Sequence, residues 1–273
     1  MLCSNCTTHP AATSGGLCED CAAALAPAPA PTQTPVAAPP AAPAPVPAPR
    51  VGPRAPVVLS YVAITLLAVV VLADLAWMAA AAHIRGLMED AGAHTADELD
   101  SGDLFMAGSS TVYSFALLVA GVFFVIWFHR ARVNAGVLRP DLQRRGSGWA
   151  IGGWFIPFGN LWIPRSVAGD IWDASLPDYG QDKKGASHAL LNFWWALWLV
   201  SALLGQVADA AYDQAESPEA IRVAAAVLMI GSVVDIAAAL LAIAVVRRMT
   251  LMQQQKAGGS VPSVAVPHPQ HGG

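Results

Sequence analysis

Apolar residues gather into four long runs, and the charged residues fall almost entirely between them. The runs cover about residues 57–82, 107–128, 188–208 and 221–246. Each is apolar on every face over a length sufficient for a hydrocarbon core, which takes about 20 helical residues. The pattern predicts an all-α integral membrane protein whose four transmembrane helices occupy residues 57–249. Three stretches break the rhythm: a cysteine-bearing head over 1–21, a proline- and alanine-rich linker over 22–56, and a tryptophan-rich segment over 148–176. A Gly-, Pro- and Gln-rich tail, residues 250–273, reads as disordered.

The tryptophan-rich segment is the hardest to fit to the pattern. It is apolar, yet Gly152, Gly153, Pro157, Gly159 and Pro164 interrupt any helix through it. Taken as a fifth span it would carry Lys183 and Lys184 to the opposite face and invert the last run. The expectation is therefore a re-entrant or interfacial segment, with the four spans packed around Ile156 to Asn160 because non-helical backbone at membrane depth must be covered by protein. Its second half has helical spacing. Val167, Ala168, Ile171, Trp172 and Leu176 share one face, with Arg165, Ser166, Asp170 and Asp173 opposite. That suits either a helix lying in the interface or one packed on the bundle.

Charge adds direction. Thirteen of the fifteen Lys and Arg residues precede the first run, lie between the second and third, or follow the fourth; Arg85 and Arg222 are the exceptions. The two remaining loops are acidic. The positive-inside rule then assigns both termini and the middle loop to the cytoplasm of a cell bounded by this membrane. Only 12% of residues are charged, about half the usual share of a soluble domain. There is no basic stripe interleaved with aromatics, so nucleic acid is not an expected partner. The first residues lack the apolar core of a secretory signal. The Ala, Pro, Gly and Arg bias suits a GC-rich bacterial genome.

All four cysteines lie in the head, as Cys3-x-x-Cys6 and Cys18-x-x-Cys21. A Cys-x-x-Cys turn sets two thiolates one tetrahedral edge apart, and two such knuckles close a four-sulfur site. So short a segment has almost no apolar core, and bound metal would supply its folding energy. The expectation is a structural Zn2+ held by Cys3, Cys6, Cys18 and Cys21; the alternatives are disulfides or free thiols. His9 reads as a loop residue. Thr7 stands where such knuckles commonly carry glycine. The twelve prolines between Pro27 and Pro56 remove backbone donors and fix φ. A tether extending ~90 Å is expected from about 30 residues of polyproline, with a docking site for a proline-binding domain as the alternative.

Residues 127–135, Trp-Phe-His-Arg-Ala-Arg-Val-Asn-Ala, and 149–164, Trp-Ala-Ile-Gly-Gly-Trp-Phe-Ile-Pro-Phe-Gly-Asn-Leu-Trp-Ile-Pro, followed by Ile171-Trp172, resemble the bacterial membrane family called domain of unknown function 4328. The head resembles short zinc ribbons at the N-terminus of bacterial membrane proteins. The first resemblance covers roughly Val57 to Met249 and implies a four-span domain in the bacterial cytoplasmic membrane. Its signature residues here are Trp149, Trp154, Pro157, Asn160, Trp162, Pro164 and Trp172, and it implies no catalytic residue.

Chemistry is sparse. Asp74 and Asp235 fall inside apolar runs, where a carboxylate costs roughly 2.5–3.5 kcal/mol on insertion scales and should face the bundle interior or water. They suit a proton or cation site, or protonated carboxyls bonded to Ser60, Thr65 or Ser232. His129, His188, Asp170 and Asp173 form a thinner candidate cluster, since no ligand spacing joins them. Asn134 and Asn160 read as helix caps or backbone supports. No phosphate loop, dinucleotide fingerprint or nucleophile elbow is present, and no catalytic or cofactor-binding residue stands out. The pattern points to a non-enzymatic adaptor or sensor that recruits a cytoplasmic partner through its zinc-binding head; the rival is a small transporter or channel component using Asp74 and Asp235.

Overall fold

A computed structural model describes residues 1–25, 55–176 and 187–259; most of the linker and the far tail lie outside the described residues. The chain divides into two units, Met1–Arg50 and Val51–Gly273. In the first, an isolated bridge pairs Leu2 with Pro10, and helix α1 (Glu19–Leu25) begins inside the second cysteine knuckle and carries Cys21. In the second, the described residues are mostly helical, with no strand among them.

Four helices are long and apolar enough to cross a membrane: α2 (Val57–Leu87), α3 (Ala96–Leu138), α6 (Ala189–Asp213) and α7 (Pro218–Gly259). Between α3 and α6 lie the short α4 (Trp149–Gly152) and α5 (Ile163–Ser175). Each long helix contains one of the apolar runs and continues into polar sequence beyond it. At 1.5 Å per residue, α3 extends about 65 Å, twice the ~30 Å of hydrocarbon it needs to cross. It begins at a reciprocal cap: the Thr95 hydroxyl accepts from the Glu98 N–H at 3.3 Å, and the Glu98 carboxylate accepts from the Thr95 N–H at 2.8 Å.

The bundle is ordered α3, α2, α7, α6, each packed on the next. Small residues permit the close approach: Ala63, Ala73, Ala80 and Ala81 of α2, and Ala225, Ala238, Ala239 and Ala242 of α7, are all buried. Large apolar side chains such as Tyr61, Leu72, Phe115, Leu118 and Leu203 point outward. That inverts a soluble core and is what lipid as solvent allows. α3 and α6, at the two ends of the row, leave a groove between them.

Trp154 fills that groove. Its ring packs on Phe124 and Phe128 of α3 at 5.9 and 6.0 Å, and on Trp195 and Trp198 of α6 at 5.9 and 5.6 Å. Phe124 lies within the apolar run of α3, so the segment reaches in from the helix end and returns. The spans do not pack around Ile156 to Asn160 as the sequence suggested. Phe155, Ile156 and Phe158 are exposed, and the inserted residue is Trp154. The cause is local. Pro157 precedes Phe158, whose φ of +60° turns the chain outward, and Gly159 brings it back against Ile163. Tight turns satisfy several donors of this irregular stretch, among them Gly159 N–H to Pro157 C=O at 2.7 Å and Asn160 N–H to Ile156 C=O at 3.0 Å. The Trp195 indole donates to the Leu161 carbonyl at 3.0 Å and ties the return to α6.

Two further expectations change. Helix α7 continues to Gly259, past the boundary drawn at Met249, because its last turns are held from inside the protein. Gln253 is fully buried, donates to the Ala131 carbonyl at 2.9 Å, and accepts from the Asn134 amide at 2.9 Å. Asn134, about one turn before the end of α3, is thus an interhelical bridge and caps nothing. In α5, Asp170 is not on an exposed polar face. It is 3% exposed and takes the Arg144 guanidinium at 2.6 Å. Val167, Ala168, Ile171 and Trp172 are buried beside it, so α5 packs on the bundle.

A Cβ on Gly153 would stand 2.6 Å from Ile163 Cγ2, and one on Gly159 2.9 Å from Ile163 Cδ1. Overpacking of this kind costs about 1–3 kcal/mol. Gly153→Ala and Gly159→Ala should each lower the unfolding midpoint of the detergent-solubilised protein. Combining Gly159→Ala with Ile163→Val should recover part of the loss, because the clashing methyl is removed.

Candidate functional site

The head brings its four cysteines together. The sulfurs of Cys3, Cys6, Cys18 and Cys21 all lie within 4.8 Å of one another, and Cys6 Sγ is 3.7 Å from Cys18 Sγ. A tetrahedral ion with ~2.3 Å bonds to sulfur has an S–S edge of ~3.8 Å, so the spacing fits a single ion. No disulfide joins them. The first knuckle is built by backbone bonds: Cys3 N–H to the His9 carbonyl at 2.8 Å and Thr7 N–H to the Cys3 carbonyl at 3.0 Å. The second knuckle runs into the first turn of α1, where Ala22 N–H donates to the Cys18 carbonyl at 2.9 Å. Ser4 N–H to the Gly16 carbonyl at 2.9 Å joins the two.

Donors aimed at sulfur prepare the site for a cation. Cys18 N–H points at Cys3 Sγ at 3.1 Å, and the Asn5 amide at Cys21 Sγ at 3.6 Å. Backbone N–H groups of Cys6, Asn5 and Cys18 pull the Cys3 thiol down to about 6. The N–H groups of Thr8 and His9 lower Cys6 as well. At Cys18 the N–H of Cys21 acts in the same direction, but burial and the neighbouring sulfurs outweigh it and push the thiol up to about 12. Four sulfurs this close resist ionising together unless a cation neutralises them. His9 is not part of the cluster; its carbonyl serves the knuckle instead.

The intramembrane acids lie near enough to influence each other. Asp74 of α2 is 1% exposed; the Ser232 side chain of α7 approaches it as a hydrogen-bond partner, and Asp235 acts on it as a like charge. Asp235 accepts from the Tyr113 hydroxyl of α3 at 2.9 Å, and Tyr113 stacks on Trp77 of α2 at 4.9 Å. Three helices thus contribute to one polar waist in the groove. Ser232 was within reach of sequence reasoning, but Tyr113 and Trp77 were not, since aromatics in an apolar run carry no positional signal. Ser60 bonds its own helix, donating to the Val57 carbonyl at 2.6 Å.

The polar residues at the loop end separate into structural pairs. Asp173 meets His188 at 2.8 Å, Asp170 meets Arg144, and His129 lies 3.2 Å from the Ser147 carbonyl. They do not converge, and among the described residues the four cysteines alone have metal-holding geometry. Arg132 reaches the Arg145 carbonyl, Arg145 the Ser166 hydroxyl at 2.7 Å, and Arg165 the Asn192 side chain. Of the signature residues, Trp154 is largely enclosed and Trp172 and Pro164 are buried, with Pro164 in the first turn of α5. Trp149, Pro157 and Trp162 are exposed, and Asn160 is half-buried in the turn Gly159–Leu161.

A family model described as Domain of unknown function (DUF4328) matches residues 90–251, more than half of the chain, and the chain belongs to this family. No curated protein and no solved structure matches it.

Thr7 keeps the knuckle geometry at a cost. Its φ is +56°, a region that disfavours β-branched side chains by about 1–3 kcal/mol. Thr7→Gly should slow amide hydrogen exchange across Cys3–Gly16, with a gain of about 1 kcal/mol after the added chain entropy of glycine is set against it. Thr7→Val should show faster exchange than Thr7→Gly.

Proposed function

We propose that this family member is a multi-pass adaptor or sensor of the bacterial cytoplasmic membrane, whose head holds a structural zinc ion and recruits a cytoplasmic protein partner. The observation that carries this reading is the four-sulfur cluster. It supplies all four positions of a tetrahedral ion and leaves none open for substrate, which suits a structural site and not a catalytic one. Soft thiolate donors in that geometry favour zinc. The head is its own unit, and the linker beyond it suits a tether.

Sidedness follows from charge. Arg130, Arg132, Arg144, Arg145, Arg165, Arg247 and Arg248 belong to the loop end of the bundle, the end where Asn134 meets Gln253. Positive charge favours the cytoplasm, and its reducing milieu keeps the four thiols available to metal.

A second reading has its own observation. A carboxylate pair with a buried member, Asp74, suits a small transporter or channel component that moves protons or cations.

Purified protein should carry one zinc per chain. Protons compete with the ion for the thiolates, so zinc retention should fall as pH is lowered, read by metal analysis after dialysis. Affinity capture from gently solubilised membranes should recover a cytoplasmic protein with the wild type and lose it with Cys3→Ser, Cys6→Ser. Identical captures from both forms would overturn recruitment by the head.

For the second reading, Asp235→Asn in proteoliposomes should abolish a proton-coupled flux seen with the wild type. Unchanged flux in that variant would remove the pair from any transport path.

A further inference from the structure

The tip of the segment that carries Trp154 is held in a conformation its own residues resist. Phe158 has φ of +60° and ψ of −40°, a region that disfavours bulky side chains. Little of the protein touches the ring in return. It is 78% exposed, and Phe155, on the other side of Pro157, is 75% exposed. Backbone strain spent on presenting an aromatic ring outward points to a partner outside the chain.

The depth of the segment says what that partner is. Trp154, next to Phe155, packs on Phe124 and Phe128 in the last turns of the apolar run of α3. The chain leaves the groove at that level. Phe155 and Phe158, and the exposed Trp162 after them, therefore stand where hydrocarbon gives way to headgroups, a boundary at which aromatic side chains gather.

Charge at the same place selects the kind of lipid. Helix α5 begins immediately after Trp162, and two guanidiniums are anchored at its start. Arg165 donates to Asn192 Oδ1 at 3.2 Å, and Arg145 to Ser166 Oγ at 2.7 Å. Both anchors are neutral. The nearby carboxylates are already engaged: Asp141 with Arg139 at 2.8 Å, Asp170 with Arg144 at 2.6 Å and Asp173 with His188 at 2.8 Å. Neither Arg145 nor Arg165 has an ion-pair partner among the described residues. Burial lowers the Arg165 guanidinium from its ordinary value, and the pull of Asp173 does not make this good. A guanidinium has five donors, and most of these ten remain for an anion with several oxygens, which phosphate is.

We propose that this loop binds an anionic glycerophospholipid of the adjacent leaflet, with its phosphate on Arg145 and Arg165 and its acyl chains against Phe155, Phe158 and Trp162. This binding is independent of recruitment by the head and of flux through Asp74 and Asp235.

The test is native mass spectrometry of the full chain in dodecyl maltoside, with phosphatidylglycerol or phosphatidylcholine of the same acyl chains added. The wild type should retain phosphatidylglycerol severalfold more tightly than phosphatidylcholine. Arg145→Gln, Arg165→Gln should weaken that retention about tenfold or more, through loss of two charges directed at the phosphate. Arg247→Gln, Arg248→Gln, which removes the same charge from exposed positions of α7 at the same end, should leave it unchanged. Phe158→Gly relieves the backbone strain, so it should hold or raise the unfolding midpoint while weakening retention severalfold. The proposal is overturned if the wild type retains neither lipid or both equally, or if an equal concentration of glycerol phosphate displaces the lipid. It is also overturned by full retention in the Arg145, Arg165 variant or in Phe158→Gly, by a lower midpoint in Phe158→Gly, or by an equal loss in the Arg247, Arg248 variant.

Discussion

The four long helices pack in the order α3, α2, α7, α6, and the chain fills the gap between the first and the last from within itself. Trp154 is the filler. Rings from α3 and α6 surround it on both sides, and its neighbours Gly153 and Gly159 give up their side chains so that Ile163 can lock the turn behind it. The rest of the loop end depends on this insertion. Only with the segment seated can α5 lie against α3 and α7, with Asp170 buried opposite Arg144. The polar strapping around it fixes position more than it adds stability. A buried ion pair gains little over well-packed apolar residues, yet breaking one partner leaves an uncompensated charge.

The same groove has a different character along its length. Aromatic rings close it at the loop end. At its waist Tyr113 reaches across to Asp235, with Asp74 alongside. At the far end it opens between Asp103 and the aspartates of α6. One long cleft thus passes from apolar to polar to acidic. In hydrocarbon, a buried carboxyl is costly and persists where the surrounding structure holds it. Asp74 sits in such a place, on α2 between α3 and α7.

The head follows a separate physical logic. It has almost no apolar interior, and its order comes from backbone donors wrapped around sulfur. Thr7 accepts a left-handed backbone to preserve the wrap. Hydrophobic burial in lipid stabilises one unit, and convergence of four thiols organises the other.

By itself, the sequence determined the class of structure. Four runs of apolar residues can only be satisfied by helices in lipid, since every backbone group must bond within its own segment. The doubled Cys-x-x-Cys spacing likewise specified the sulfur cluster, because a two-residue turn leaves little choice of geometry. The signature around Trp149–Pro164 identified the family. Tertiary structure alone decided which tryptophan enters the groove, that Asp170 is buried, that Gln253 belongs to a helix and meets Asn134, and that Tyr113 bonds Asp235. The physical reason is the same in each case. In a helix that is apolar all round, periodicity does not reveal which face meets protein and which meets lipid. A polar residue near a helix end is equally at home in water or in a bond to another helix, and residues 119 positions apart, as Asn134 and Gln253 are, carry no local trace of that bond.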